Sequence, residues 1–189
     1  MDRYNVEGIK SHSCNKEFQF ERIKNIDSNP SIVLVGGRLP LYLNGVYFDN
    51  KENGIENNVE RYVTFKSDIG RDFQFHFRKT VNELLSKGHQ IVLIYPIPEV
   101  GVNVPKFIFN FLKFKNVSDL KSEFAFFTTS YEVYEERSAS TFELFDSIES
   151  SKVHRVYPHT LFCNKQMKGR CLTHNSEDVF YMDDDHPSA

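Results

Sequence analysis

A carboxylate and a histidine three residues apart, Asp183 and His186, are the sharpest chemical feature of this sequence. Such a pair can act as a general base, because the carboxylate fixes the tautomer of the imidazole and stabilises the imidazolium that forms. A base of this kind needs a nucleophile to activate. The same spacing also occurs in an acidic, solvated tail without a role, and the spacing alone leaves both interpretations open.

A second candidate is the turn formed by Gly36, Gly37 and Arg38, which follows a short apolar run. Glycine lets the backbone approach a substrate closely, and its N–H groups can stabilise an oxyanion. Arg38 could bind a carboxylate or a sugar oxygen. Two glycines are also common in a turn that ends a strand, and an arginine there can pair at the surface.

Three cysteines and several histidines raise the question of a metal site. Cys163, Cys171, His174 and His186 lack the paired short spacings of a structural zinc site. A disulfide between Cys163 and Cys171 is the better alternative in an oxidising compartment, whereas both would be free thiols in the cytosol. Residues 11–14 (Ser-His-Ser-Cys) place hydroxyl, imidazole and thiol side by side, but we interpret them as a loop.

The elements that must position these residues follow an α/β pattern. Apolar runs rich in β-branched residues predict strands that are buried on both faces and belong to a parallel sheet. Lys87 and Gly88 mark the end of a helix. Ligands of open parallel sheets bind beyond the carboxyl ends of the strands, where three candidate segments lie, at 36–38, 96–99 and 183–186. The predicted elements are strands at 31–35, 90–95, 153–163 and 178–182 and helices at 79–88 and 129–150.

The composition is that of one ordinary globular domain. The chain has 189 residues, of which 40% are hydrophobic and 14% are aromatic, and these values argue against disorder. A net charge of -3 gives no broad electrostatic reason to bind nucleic acid. The sequence contains no uninterrupted apolar stretch of the ~20 residues that a spanning helix needs.

Several segments together resemble one family. Residues 31–43, 91–101 and 180–188, together with 161–163 and Cys171, are similar in order and spacing to segments of the SGNH domains that are fused to acyltransferase family 3 membrane proteins. The likeness extends over roughly residues 30 to 189, and the C-terminal segment (Phe-Tyr-Met-Asp-Asp-Asp-His-Pro-Ser) is its most specific part.

The resemblance implies a three-layer α/β/α, flavodoxin-like fold of the SGNH hydrolase type. Such domains transfer acyl groups, usually acetyl, to bacterial surface or exported glycans by Ser–His–Asp chemistry on the periplasmic side of the inner membrane. A membrane acyltransferase domain supplies the acyl group, and no cofactor is expected. Carried over, His186 is the base and Asp183 its orienting carboxylate, while Asp184 and Asp185 occupy acidic filler positions. Gly37 and Arg38 fall at the oxyanion segment, although its usual asparagine is absent.

The family nucleophile lies in a Gly-Asp-Ser-His motif on the first strand, and this sequence contains no Gly-Asp-Ser. We therefore expect residues 1–30 to be a connecting segment and residues 31–189 to be a partial domain that lacks its first strand. We also expect this polypeptide alone to be inactive. A non-catalytic glycan- or partner-binding domain, and an ester hydrolase with an unrecognised serine, are the alternatives.

Overall fold

The computed structural model describes residues 29–56, 69–114 and 127–188, together with Glu21 and Ile26. No helix in these ranges is both long and apolar enough to cross a membrane. The elements, in chain order, are β1 (Ile32–Val35), α1 (Leu39–Asn44), α2 (Ile69–Ser86), β2 (Gln90–Ile94), α3 (Val104–Phe114), β3 (Thr128–Ser130), α4 (Tyr131–Asp146), β4 (Val153–Val156), α5 (His159–Phe162) and β5 (Arg170–Leu172).

The chain divides into two compact units, and each has an apolar core of its own. The first unit contains Met1–Val46, Arg61–Pro96 and Ser140–Tyr157, and the second contains Tyr47–Glu60, Ile97–Ala139 and Pro158–Ala189. The strands of the first unit are parallel, whereas β3 and β5 of the second unit pair antiparallel.

A three-stranded parallel sheet in the order β1-β2-β4 is the centre of the first unit. Val33 pairs with Ile91, and Ile91 pairs with Val153 on its other side. Ile91 and Leu93 are fully buried against apolar side chains of α2 and of the second half of α4. The parallel sheet and the α/β class that the sequence predicts are thus confirmed.

The first strand differs from its prediction in burial. Ile32 and Leu34 are 65% and 67% exposed, whereas Val33 and Val35 are partly buried and pack against the core of the unit. Side chains of a strand alternate between its two faces, so only one face of β1 contacts that core. The prediction that both faces are buried is therefore wrong for this strand.

Helix α2 ends as the sequence predicts. The last helical residue is Ser86, and Gly88 has a φ of 94°, a left-handed conformation that favours glycine at this position. Its N–H donates to the carbonyl oxygen of Leu85. The helix begins at Ile69, earlier than the predicted residue 79, so its start is corrected.

The predicted strand at 178–182 is absent from the structure. Val179 forms an isolated antiparallel bridge with His174, and Tyr181 forms another with Pro187. These local pairings use the backbone groups that a sheet would need. The segment that precedes His186 is therefore part of a small hairpin, and the expectation that it leaves a strand of the parallel sheet is corrected. The predicted strand at 153–163 is likewise shorter, since β4 ends at Val156 and α5 follows.

Candidate functional site

Asp183 and His186 lie in direct contact within a tight turn of the second unit. Oδ1 of Asp183 accepts hydrogen bonds from the backbone N–H groups of Asp185, at 3.0 Å, and of His186, at 2.8 Å. Oδ2 of Asp183 lies 2.8 Å from Nδ1 of His186. A carboxylate three residues before a histidine can accept hydrogen bonds from the backbone of the same turn and from the imidazole. This local geometry explains why the spacing of Asp183 and His186 brings their side chains together.

The ionisation of Asp183 decides which nitrogen of His186 carries the proton. Partial burial acts to raise the pKa of Asp183, but hydrogen bonds from the backbone of Asp185 and His186 and from the imidazole lower it to about 2. The carboxylate is therefore charged at neutral pH and can only accept a hydrogen bond. Nδ1 of His186 must be its donor, which leaves Nε2 as the nitrogen that can take up a proton.

A second carboxylate shares this imidazole. Oδ1 of Asp185 lies 2.9 Å from Nδ1 of His186, and its side chain is only 10% exposed, compared with 35% for Asp183 and 65% for His186. Asp185 thus does more than fill an acidic position. The ligand atoms of these three residues lie within 4.8 Å of one another and could hold a cation, but Nδ1 is engaged with the two carboxylates.

Backbone hydrogen bonds attach this turn to the segment that leads into α3. The N–H of Val100 donates to the carbonyl oxygen of Asp184 at 2.8 Å, and the N–H of Val104 donates to that of Asp183 at 3.0 Å. The turn is also closed across its base, because the N–H of Met182 donates to the carbonyl oxygen of His186 at 2.8 Å. The backbone of the turn that carries the imidazole is thus held by hydrogen bonds from a neighbouring segment and by one across its own base.

The hydroxyl of Tyr181 adds a buried link to the same segment. It donates to the carbonyl oxygen of Pro98 at 2.8 Å, and its ring is 1% exposed. A buried tyrosine requires such a partner for its hydroxyl. Burial raises the pKa of Tyr181 well above its usual range, so the hydroxyl remains protonated and keeps donating.

The third strand-end candidate, 96–99, contains a buried ion pair. Glu99 contacts Arg137 of α4 through two hydrogen bonds, at 2.7 Å and 3.3 Å, and both side chains are less than 10% exposed. The guanidinium of Arg137 also lies over the ring of Phe48, 5.8 Å from its centroid. Glu99 therefore anchors the segment next to Val100.

The turn after β1 lies in the first unit. Gly37 has a φ of 130°, a conformation that side-chain-bearing residues rarely adopt. A Cβ on Gly36 would lie 3.0 Å from that of Ile94, tighter than ordinary contacts, so glycine suits this close approach. Arg38 is half-buried and precedes α1. Both glycines thus have a structural explanation, and the binding roles of Gly37 and Arg38 stay predictions.

The structure joins Cys163 and Cys171 by a disulfide. The two residues also form an isolated antiparallel bridge, and Cys171 belongs to β5. Neither sulfur is then available as a zinc ligand. His174 is buried and packs edge-on against Phe127, with ring centroids 4.9 Å apart. The string at 11–14 lies outside the described residues.

Sequence reasoning missed a cleft beside the turn. It measures about 380 Å³ and is lined by one face of α3, by residues 101–103 that precede the helix, by Ile55 and by Asp184. Lys106, Phe107 and Asn110 lie on this face, Asn103 directly precedes the helix, and all four are exposed. Their spacing of three, four and seven residues is the available signal, because residues so spaced share one face of a helix. The many phenylalanines of the same segment make this polar spacing hard to recognise in the sequence.

Comparison with known families agrees with this architecture. The family described as SGNH domain (fused to AT3 domains) matches residues 2–189. The chain belongs to this family, and its mixed α/β structure with a parallel sheet has the SGNH type of fold. Searches of curated proteins and of solved structures returned no significant match.

Proposed function

We propose that this chain carries the catalytic base of an O-acyltransferase domain that transfers acyl groups, with acetyl the first expectation, to bacterial surface or exported glycans. The observation that carries the proposal is the contact between Asp183 and Nδ1 of His186. Membership of a family whose domains are fused to membrane acyltransferase domains supports it. The fused domain would supply the acyl group, so the chain itself needs no cofactor.

In the proposed mechanism, His186 removes a proton from a hydroxyl nucleophile through Nε2. Asp183, and Asp185 beside it, accept the hydrogen bond from Nδ1 and stabilise the positive charge that the imidazole acquires. His186 then returns the proton to the leaving oxygen. The turn at Gly37 and Arg38 would act as the oxyanion or substrate-binding segment, a role that remains a separate expectation.

The disulfide favours an oxidising compartment for this domain, which supports a place on the periplasmic side of the membrane. A glycan acceptor outside the cytoplasm is consistent with that compartment. The acceptor and the acyl group are expectations from the family, and the experiment below addresses both.

The test replaces His186 in the producing cell and measures the acyl content of extracted surface glycan by NMR. We expect His186→Ala to remove O-acetyl signals, because without the base the remaining groups give at most a weak residual rate. His154→Ala is the matched control. His154 is an exposed histidine of β4 that contacts Gln90, so its replacement should leave the glycan unchanged. Unchanged acetylation in His186→Ala would overturn the proposal.

The absence of Gly-Asp-Ser from the sequence favours one further candidate, a non-catalytic glycan-binding domain of the same fold. Under both functions the purified chain should not hydrolyse a small acetyl ester. Turnover that disappears in His186→Ala, together with labelling by a fluorophosphonate probe, would instead identify an ester hydrolase with an unrecognised serine.

A further inference from the structure

The cleft beside the turn has the dimensions of a small-ligand site. Its volume of about 380 Å³ lies within the usual range of ~300–1,000 Å³ for such sites. One wall is formed by Asn103 and by the exposed face of α3 that carries Lys106, Phe107 and Asn110, and Asp184 contributes to the lining. The two walls belong to the same unit of the chain.

The chemistry of these side chains matches that of a sugar ring. Each asparagine amide offers donors and an acceptor, the ammonium of Lys106 donates, and the carboxylate of Asp184 accepts. Neighbouring hydroxyl groups of a sugar need both kinds of partner. Oδ1 of Asn103 already accepts a hydrogen bond from the backbone N–H of Lys106 at 3.0 Å, so this amide is held in place.

Phe107 supplies an aromatic surface of fixed orientation. Its ring packs edge-to-face against Phe127, with centroids 4.9 Å apart, and Phe127 is 4% exposed. Phe107 itself is 39% exposed, so part of its ring remains accessible within the lining of the cleft. An apolar face beside polar groups suits a pyranose, which has C–H groups on its faces and hydroxyl groups at its edge.

The cleft is attached to the turn that carries the base. Asp184 lies between Asp183 and His186 in the chain, and the two backbone hydrogen bonds from Val100 and Val104 join that turn to the start of α3 on either side of Gly101. A Cβ on Gly101 would lie only 2.6 Å from the carbonyl oxygen of Gly54, so the lining there is formed by closely packed backbone.

We propose that this cleft binds one pyranose unit of the acceptor glycan, through hydrogen bonds to its hydroxyl groups and contact of one ring face with Phe107. The assignment rests on the proposed function, because the acceptor is a glycan only if the domain acts on one. It adds the residues that contact the sugar, on α3, just before it and at Asp184.

Binding is measured by saturation-transfer NMR on the full chain with methyl α-glucopyranoside, methyl β-galactopyranoside and methyl β-glucuronide as separate probes. We expect saturation of ring protons in at least one probe and a dissociation constant about tenfold higher in Phe107→Ala, the upper end of what aromatic contacts contribute. Phe109→Ala is the matched control, because Phe109 is 67% exposed on the same helix and does not line the cleft. If the glucuronide binds more strongly than the two neutral glycosides, and if this advantage is lost in Lys106→Met, the bound sugar is an acidic one.

Two further variants distinguish loss of sugar contacts from misfolding of Phe107→Ala. Phe107→Leu keeps apolar contact with Phe127 but removes the flat ring, and Asn110→Ala removes only an exposed amide; each should weaken binding severalfold with an unchanged circular dichroism spectrum. Binding by none of the probes, or equal binding by Phe107→Leu, Asn110→Ala and Phe109→Ala, would overturn the assignment. This failure is distinct from that of the proposed function, which is decided by glycan acetylation in His186→Ala. If glycoside binding depends on Phe107 but glycan acetylation does not depend on His186, the sugar site in the cleft is supported and the acyltransferase function is rejected.

Discussion

The turn that carries His186 and the core of the first unit are stabilised by different kinds of interaction. The turn depends on directional contacts, among them the hydrogen bond of Tyr181 to Pro98 and the ion pair of Glu99 with Arg137. The core of the first unit consists of apolar side chains, of which Leu93 is fully buried. Hydrogen bonds fix the positions of atoms, whereas apolar packing is non-directional and tolerates exchange of shape.

The turn that carries the base needs a more precise geometry than the core of the first unit. A base must be held in a defined geometry for proton transfer, and the second unit supplies polar links to its turn on both sides. The sheet of the first unit needs mainly volume and a matching register. Loss of one polar link should therefore displace the turn, while loss of one apolar side chain should lower stability without a directional effect.

The largest expected effect is that of Arg137→Met. Its removal takes the guanidinium away from the buried carboxylate of Glu99, and breaking a buried ion pair in this way costs about 3–5 kcal/mol. Because Glu99 precedes Val100, we expect faster hydrogen exchange at the amides of Val100 and Val104, which donate to the turn. Chemical denaturation and native-state hydrogen exchange measure the two effects.

The double variant Glu99→Met with Arg137→Met is the control for charge. Replacing a buried ion pair by apolar groups of similar volume is often neutral, so most of the lost stability should return. Glu83→Ala is the control for pairing in general, since the Glu83–Lys87 pair of the first unit is exposed and should contribute less than about 0.5 kcal/mol. A double variant as unstable as Arg137→Met would show that Arg137 acts through packing on Phe48 rather than through its charge.

How much the sequence could predict depends on the range over which a feature is encoded. The contact of Asp183 with His186 lies within four residues, and the parallel strands lie within short apolar runs, so both could be predicted. The pairing of Glu99 with Arg137 joins residues 38 positions apart, and no local pattern encodes it. The exposure of Leu34 depends on what covers the sheet, which residue type does not reveal.

A smaller effect is expected within the sheet itself, where two leucines occupy opposite faces of neighbouring strands. Leu93→Ala removes a side chain with no exposure and should cost about 2–5 kcal/mol, through lost transfer energy and the cavity that remains. Leu34→Ala changes a side chain that is 67% exposed and should alter stability by less than about 0.5 kcal/mol. Thermal or urea denaturation of both variants compares the two faces directly. Equal destabilisation would mean that another part of the protein covers the face of Leu34.

The smallest effect is the acid titration of Asp183, which tests the directional contacts of the turn without a substitution. The pKa of this carboxyl is about 2 in the folded chain, below the ordinary value of 3.8. Because the folded pKa is the lower one, the stabilisation is complete above pH ~4 and is lost as the pH falls through about 2. The ¹³C resonance of the Asp183 carboxyl should follow this midpoint and be absent from Asp183→Asn, which retains an oxygen acceptor for the backbone N–H groups of Asp185 and His186. A midpoint near the ordinary value would show that these hydrogen bonds do not hold the turn in solution.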